Sequence, residues 1–496
     1  MLAALGARFL AGPRTIDDAY ITFRYARNLL AGNGLVYNPG EWVLGTTTPL
    51  YTLLMAALGA IFGGVQAPFP EIAWSVNAGC DALACGTLIL LGFRMKRPSA
   101  GYAAALIWAI APMSVTFAIG GMETSLFILL MLATFYFHSS AQTSLAAASS
   151  ALSILVRPDA LLFVLPLYLE RLRQLRWIPT GKSEPIPISW KEILSGFVPL
   201  AAWFSYAWLR YGSPLPHSIT AKASAYQLPG DAAFIRLLQH YATPFLGHLT
   251  FGTPWIGVGL ILFPALLLVA ARRILRKDVS LWPLFAFPFI YFLAYAIANP
   301  LIFRWYLTPP LPLFMLGIFL GTANLAEDLK FPPLQIILPI AAAGMTLNGW
   351  VLHPDHGPDR PAPAMAYIQL ELLYQLAAEE LFPQLESGDV VAAGDIGALG
   401  YFTDAVILDT LGLISPQADD YYPLPAQDYV INFAIPADLI LDENPDFLVA
   451  LEVYGRRTFL QNEDFLSRYY QFETLPTDIY GSQGMLLYRA IPNRRP

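Results

Sequence analysis

Apolar residues gather in long runs along this chain, and polar positions interrupt them only at intervals. The runs lie near 71–93, 98–115, 123–138, 141–156, 157–169, 193–209, 253–271, 281–299, 303–322 and 332–350. A crossing helix needs roughly 20 residues, so the pattern predicts about ten to eleven transmembrane helices. The stretch 141–169 is too long for one crossing. It divides at Arg157-Pro158-Asp159, because a proline and two charges sit poorly in lipid. Residues 48–64 are also apolar and read as an interfacial or re-entrant helix. Met1–Gly12 is apolar, but as a helix it reaches only about 18 Å against a core of about 30 Å. It is expected to be half-inserted, or the remainder of a longer helix.

Beyond residue 350 the pattern changes. Ala364–Glu380 has helical periodicity, and 389–393, 405–408 and 447–450 read as short buried strands. Gly394-Asp395-Ile396-Gly397-Ala398-Leu399-Gly400 follows the first strand, and its spacing favours a structural turn over a dinucleotide site. The fold class is therefore a polytopic α-helical membrane protein over 1–350, with an outer loop at 13–70, followed by a soluble mixed α/β domain over 351–496.

Composition sharpens this division. Of 496 residues, 56% are hydrophobic and 13% charged, which excludes a soluble enzyme, a disordered scaffold and a disulfide-stapled secreted domain. Residues 1–350 carry a net charge of +8, whereas 351–496 carry −15. The acidic tail disfavours nucleic acid as a partner. The only cysteines, Cys80 and Cys85, share one apolar run and read as small buried hydrophobes.

Lys and Arg also orient the chain. Segments 94–97, 170–192 and 272–278 hold twelve of them in 34 residues, whereas 13–47 and 210–252 hold six in 78. The basic segments are placed in the cytoplasm, so the first loop and the acidic tail face outward.

Candidate chemistry concentrates in the first loop. Asp17 and Asp18 are adjacent carboxylates at the start of a predicted helix, and Thr15-x-x-Asp18 fits a capping box. On that helix Asp17, Tyr20 and Arg24 share a face, and Arg24 neighbours Arg27. Gly32 to Glu41 and Gly45 to Leu50 form turn-rich loops. Further charged groups stand at outward span ends: Arg157 and Asp159, His217 with Lys222, and Arg304 beside Trp305 and Tyr306. These cations suit lipid headgroups or the phosphate of a lipid-linked substrate. Glu123 reads as a helix cap, and Asp81, mid-span, calls for a partner. The six histidines form no metal-ligand spacing, and no P-loop is present.

Asp17-Asp18-Ala19-Tyr20-Ile21-Thr22-Phe23-Arg24-Tyr25-Ala26-Arg27-Asn28, then Gly34 to Glu41, then Thr48-Pro49-Leu50, resembles the first outer loop of GT-C glycosyltransferases, in the arabinofuranosyltransferase and mannosyltransferase-like branch. Gly121-Met122-Glu123-Thr124, Arg157-Pro158-Asp159, Tyr211 to Lys222 and Arg304-Trp305-Tyr306-Leu307 resemble later blocks of the same family. The resemblance implies a bacterial cytoplasmic-membrane enzyme with an outer-face site. It implies a polyprenyl-phosphate sugar donor and a glycan, lipid or protein acceptor, with the bilayer as partner. It makes Asp17 the expected base, with Asp18 as cap or second carboxylate. Tyr20, Arg24, Arg27, Glu41, His217, Lys222 and Arg304 become candidate substrate-binding residues. No cofactor is obligatory, and a divalent metal is left open. Two departures stand out: only 16 residues precede the acid pair, and Leu44 occupies a position where relatives often carry an acid. The competing reading is a secondary transporter or lipid flippase, against which stands the absence of an internal repeat.

Overall fold

The computed structural model describes residues 1–176, 187–352 and 359–492, so part of the basic segment 170–192 lies outside the described residues. The chain divides into two compact units. One comprises Met1–Arg14, Ala73–Phe204 and Gly230–Tyr367; the other comprises Thr15–Ile72, Ser205–Pro229 and Ile368–Pro496. The division expected near residue 350 is thus an interleaved one. The first loop and the segment 205–229 fold with the acidic tail.

The first unit is helical. Phe69–Arg94, most of which lies in this unit, Pro254–Leu275, Val279–Ala298 and Arg304–Asp328 are each long and apolar enough to cross a membrane. Pro98–Ile110 and Pro112–Ile119 make a fifth candidate, bent by 50°, where Ala111 is extended ahead of Pro112. The remaining runs become shorter apolar helices, among them Leu2–Ala11, Thr124–Ser139, Thr143–Val156 and Leu334–Leu347. Phe197, Ile261, Ile297 and Ile340 of this unit are exposed, as a lipid-facing surface requires. The 141–169 stretch breaks as expected, into Thr143–Val156 and Leu161–Arg176 with Pro158–Ala160 as the turn between them.

Two buried groups of charges in this unit are paired. Arg8 donates to Asp81 at 3.0 Å and to the carbonyls of Ala4 and Ala109, and Ser125 donates to the same Asp81 oxygen. Arg8 thereby supplies the partner that Asp81 required. Arg157 donates to Glu123 at 3.0 Å and to both oxygens of Asp159. Glu123 flanks its helix without a side-chain capping bond. Its carboxylate serves the ion pair instead, which corrects the capping expectation. Cys80 and Cys85 are buried and unbridged. A two-residue antiparallel pair, β1 (Trp350–Val351) with β2 (Ala362–Pro363), ends this unit.

The second unit is built on a five-stranded sheet: β3 (Val390–Ala393), β4 (Val406–Asp409), β5 (Phe447–Leu451), β6 (Tyr469–Leu475) and β7 (Met485–Ala490). Their order is β4-β3-β5-β7-β6. The first three are parallel, and the β7 and β6 pairings are antiparallel. The buried runs of β3, β4 and β5 suit a parallel sheet covered on both faces. The helix Gln369–Leu381 begins five residues later than its periodicity suggested. The helix Asp17–Leu30 and the helix Pro49–Ile61 belong to this same unit.

Candidate active site

The helix Asp17–Leu30 starts at Ile16, whose side chain cannot cap, and Thr15 does not close a capping box with Asp18. Its two leading acids have different surroundings. Asp17 is 7% exposed. Its Oδ2 accepts the Gly397 amide at 2.9 Å and its Oδ1 the Ala398 amide at 2.7 Å. These are unsatisfied donors at the start of the helix Gly397–Thr403, which follows β3. Asp17 therefore caps a tail helix across 380 residues of sequence. The Gly-rich turn holds a carboxylate of its own chain at this helix start. Burial raises the Asp17 pKa, as do the charges of Asp395, Asp18 and Glu371, while the Ala398 amide lowers it.

Asp18 differs from its neighbour. Its side chain is 33% exposed, and one oxygen lies 4.0 Å from Lys222 Nζ. Lys222 sits on the helix His217–Ala225. That segment is held within the unit by the Gln227 amide donating to Asn432 and by Tyr429 donating to Ala225. His217 opens the helix: its amide donates to Leu44, and its ring lies 3.3 Å from Asp419.

The other expected residues are largely engaged in the fold. Arg24 is 1% exposed. It donates to the carbonyls of Tyr37, Gly400 and Ala405 and to Asn38, with its guanidinium 4.2 Å over the Tyr37 ring. This is a structural role, in place of the substrate contact expected from sequence. Arg27 donates to the Tyr401 carbonyl and pairs with Asp404 at 2.5 Å. Tyr20 packs among Phe23, Tyr401 and Phe402, and burial raises its hydroxyl pKa. Glu41 accepts from Asn38 at 2.9 Å, and Asn38 in turn pairs with the backbone of Ile407 on β4. Arg304 belongs to the first unit, where it donates to the Met365 carbonyl at 3.2 Å and faces the Tyr367 ring.

Two acids that the sequence reading passed over join Asp17 and Asp18. Glu371, on the helix Gln369–Leu381, accepts the Asp17 amide at 3.2 Å. Asp395, just past β3, accepts from the hydroxyls of Tyr374 and Tyr454 at 3.0 and 3.2 Å. Burial pushes Glu371 up to about 7 and Asp395 up to about 6, and the Asp18 charge adds to both. The signals were faint: an acid in a helix first turn, and an acid inside the Gly-rich turn. Among the described residues no group of three or more His, Cys, Asp or Glu is disposed to hold a metal ion. Both Asp17 oxygens are bound to amides.

The long apolar helices are those of an integral membrane protein, and the fold is the GT-C fold shared with solved glycosyltransferase structures. ArnT from Cupriavidus metallidurans bound to undecaprenyl phosphate superposes with a TM-score of 0.57 at 12% identity, over 99% of this chain and 96% of that one. The Archaeoglobus fulgidus oligosaccharyltransferase, in complex with Zn and sulfate, gives 0.55 at 12% identity, over 100% of this chain and 73% of that one. In sequence, 115 residues are 34% identical to a terminal β-(1→2)-arabinofuranosyltransferase of Mycobacterium tuberculosis. That match covers 22% of this chain and 18% of the relative's length. Residues 365–488 match DUF8728, a domain of unknown function.

Proposed function

We propose that this protein transfers a sugar, a pentose or a hexose, from a polyprenyl-phosphate donor to a hydroxyl of a glycan, lipid or protein acceptor. We place the reaction at the outer face of a bacterial cytoplasmic membrane, with the acidic tail extracytoplasmic. The observation that carries the reading is the division of labour within the acid pair. Asp17 spends both oxygens on the Gly397 and Ala398 amides, and Asp18 stays partly open beside Lys222.

In this reading Asp18 takes the proton of the acceptor hydroxyl. The freed oxygen lone pair forms a bond to the anomeric carbon. The bond from that carbon to the phosphate oxygen breaks, and the phosphate leaves with its electron pair. A positioned carboxylate contributes about 10²–10⁴-fold to such a step. A cation such as Lys222 stabilises the charge gathering on the phosphate. Asp17 acts through Asp18, as a positioning residue at the adjacent backbone position. Burial of Arg24 removes it from the substrate-binding group, while His217, Glu41 and Lys222 remain in it. The negative tail suits a neutral or basic acceptor.

The test uses purified protein in detergent and a panel of short-chain polyprenyl-phosphate sugars. Turnover with one donor is expected in the wild type and lost in Asp18→Asn with folding intact. A folded wild type that turns over no donor, while moving a lipid or solute across proteoliposomes, overturns the reading in favour of the transporter.

A further inference from the structure

His217 and Asp419 are distant in sequence and meet within the second unit, where the ring Nε2 lies 3.3 Å from Asp419 Oδ2. Asp419 stands on the turn Pro416–Tyr421, against which the helix His217–Ala225 packs. Among the described residues His217 is the one basic group within ion-pair distance of Asp419. Yet His217 Nε2 and Asp419 Oδ1 are both buried without a hydrogen bond. The two groups face each other out of line. The pair is not what holds the helix in place. The His217 amide donates to the Leu44 carbonyl at 2.8 Å, the Gln227 amide to Asn432 at 3.0 Å and the Tyr429 hydroxyl to Ala225 at 3.2 Å. Gly412 closes the packing between them: a Cβ there would lie 3.2 Å from Asp419 Oδ1 and 3.5 Å from Ala221 Cβ. Main-chain bonds thus anchor the helix near both ends. A buried carboxylate serving only as a strut would have its oxygens satisfied.

A carboxylate beside Nε2 keeps the proton of a neutral imidazole on that nitrogen and leaves the Nδ1 lone pair as an acceptor. Nδ1 has no hydrogen bond among the described residues. Hydrogen bonds that orient a working side chain are often long or out of line until substrate binds. The charges decide what Nδ1 can take. Asp419, with Asp420 next in sequence, repels an anion, so the group that suits Nδ1 is a neutral donor, a hydroxyl. The same helix carries Lys222 beside Asp18. Lys222 lies five positions after His217, about 7.5 Å along the axis, so one sugar residue can reach both.

We propose that Asp419 is a positioning residue: it fixes the His217 ring so that Nδ1 accepts a hydrogen bond from a sugar hydroxyl. That hydroxyl belongs to the sugar of the donor or to a sugar of the acceptor, which rests on the transfer reading above. Asp419 is an acid that the sequence alone did not single out.

Equilibrium binding to the full chain in detergent tests this. The probes are farnesyl-phosphoryl arabinose, farnesyl-phosphoryl mannose, farnesyl phosphate, methyl arabinofuranoside and methyl mannoside. Asp419→Asn can turn an amide donor toward Nε2 and so favour the opposite tautomer. In that variant affinity for a sugar-bearing probe is expected to fall about tenfold, the weight of one hydrogen bond. Farnesyl phosphate, which has no sugar, is expected to bind as before. Loss for the lipid-linked sugars places the hydroxyl on the donor, and loss for the methyl glycosides places it on the acceptor; both uphold the proposal. Unchanged sugar affinities overturn it, as does an equal loss for farnesyl phosphate. So does a wild type that binds neither lipid-linked sugar more tightly than farnesyl phosphate and neither methyl glycoside at all. Where Asp419→Asn does not fold, His217→Ala is read with the same probes and the same outcomes. Nitrogen NMR of histidine-labelled protein separates positioning from a strut. The His217 signal, located by its absence from His217→Ala, is expected to show the proton on Nε2 in the wild type and to move toward the Nδ1-protonated form in Asp419→Asn. A wild-type ring protonated on Nδ1 alone, or one that Asp419→Asn leaves unmoved, overturns the proposal. A wild type that binds a sugar through this pair yet transfers none sinks the transfer reading alone.

Discussion

The carboxylate of Asp17 and the amide of Gly397 meet at 2.9 Å, joining the start of the first-loop helix to the start of a tail helix. Ala398 supplies the second amide at 2.7 Å. An asparagine at position 17 has one acceptor where two are needed, and it turns a donor toward an amide. Asp17→Asn is therefore expected to destabilise the second unit by about 1–3 kcal/mol, the cost of a buried unsatisfied donor. Asp18→Asn, at a partly exposed position, is expected to change stability by about 0.5 kcal/mol or less. Thermal unfolding of the two variants side by side checks this. Equal loss in both would remove the distinction between a strut and an open carboxylate.

Gly397 and Gly400 explain the spacing of the Gly-rich turn. A methyl group on Gly397 would lie 1.9 Å from the Asp17 carbonyl oxygen, and one on Gly400 would lie 2.0 Å from the Tyr37 hydroxyl. The first obstacle is backbone and cannot rotate away. Gly397→Ala is expected to destabilise by about 1–3 kcal/mol or more through overpacking. Activity should fall with it, because the helix bearing Asp18 must shift. A fully active, wild-type-stable Gly397→Ala would show that this contact is not required.

Arg24 links the first loop to the tail within the second unit. Its guanidinium donates to the carbonyls of Tyr37, Gly400 and Ala405, the first shared with the Asn28 side chain and the second with the Asp404 amide. Arg24→Met is expected to cost about 1–3 kcal/mol, as the Ala405 carbonyl loses its guanidinium donor and Tyr37 and Gly400 each lose one of two. Arg24→Lys should recover only part of this, since an ammonium lacks the planar fork. Limited proteolysis at residues 397–405 offers a direct reading. Unchanged protection in Arg24→Met would contradict the assignment.

Much of this architecture was legible in the sequence because its signals are local. Apolar runs marked the helices, Arg157-Pro158-Asp159 marked a break, and β-branched clusters marked β3, β4 and β5. The capping box at Thr15 and Asp18 was misleading for a physical reason. A carboxylate can cap any nearby helix start, and Asp17 found one 380 residues away. Arg24 and Arg27 read as substrate cations because composition does not reveal which carbonyls a guanidinium will meet. Glu371 and Asp395 carry no motif. Their roles come from neighbours brought in by tertiary contacts, which one-dimensional periodicity does not encode.

Acid strength in the second unit gives the last prediction. Glu371 rises from 4.5 to about 7, Asp395 from 3.8 to about 6 and Asp409 from 3.8 to about 7, in each case chiefly through burial. A carboxyl held above its unfolded pKa keeps its proton longer in the folded state. Its contribution to stability is full below the unfolded value and is lost as pH rises through the folded one. The unfolding midpoint of the second unit is therefore expected to fall between about pH 4 and pH 7 and to level off above that range. Glu371→Gln, which is neutral throughout, should flatten part of the slope while leaving the low-pH midpoint near the wild-type value. Neighbouring Asp17, raised by the same burial, acts in the same direction. A midpoint that rises with pH over this window would mean that these carboxyls are stabilised as anions, and that the amides of Gly397, Ala398, Leu411 and Ile414 outweigh their burial.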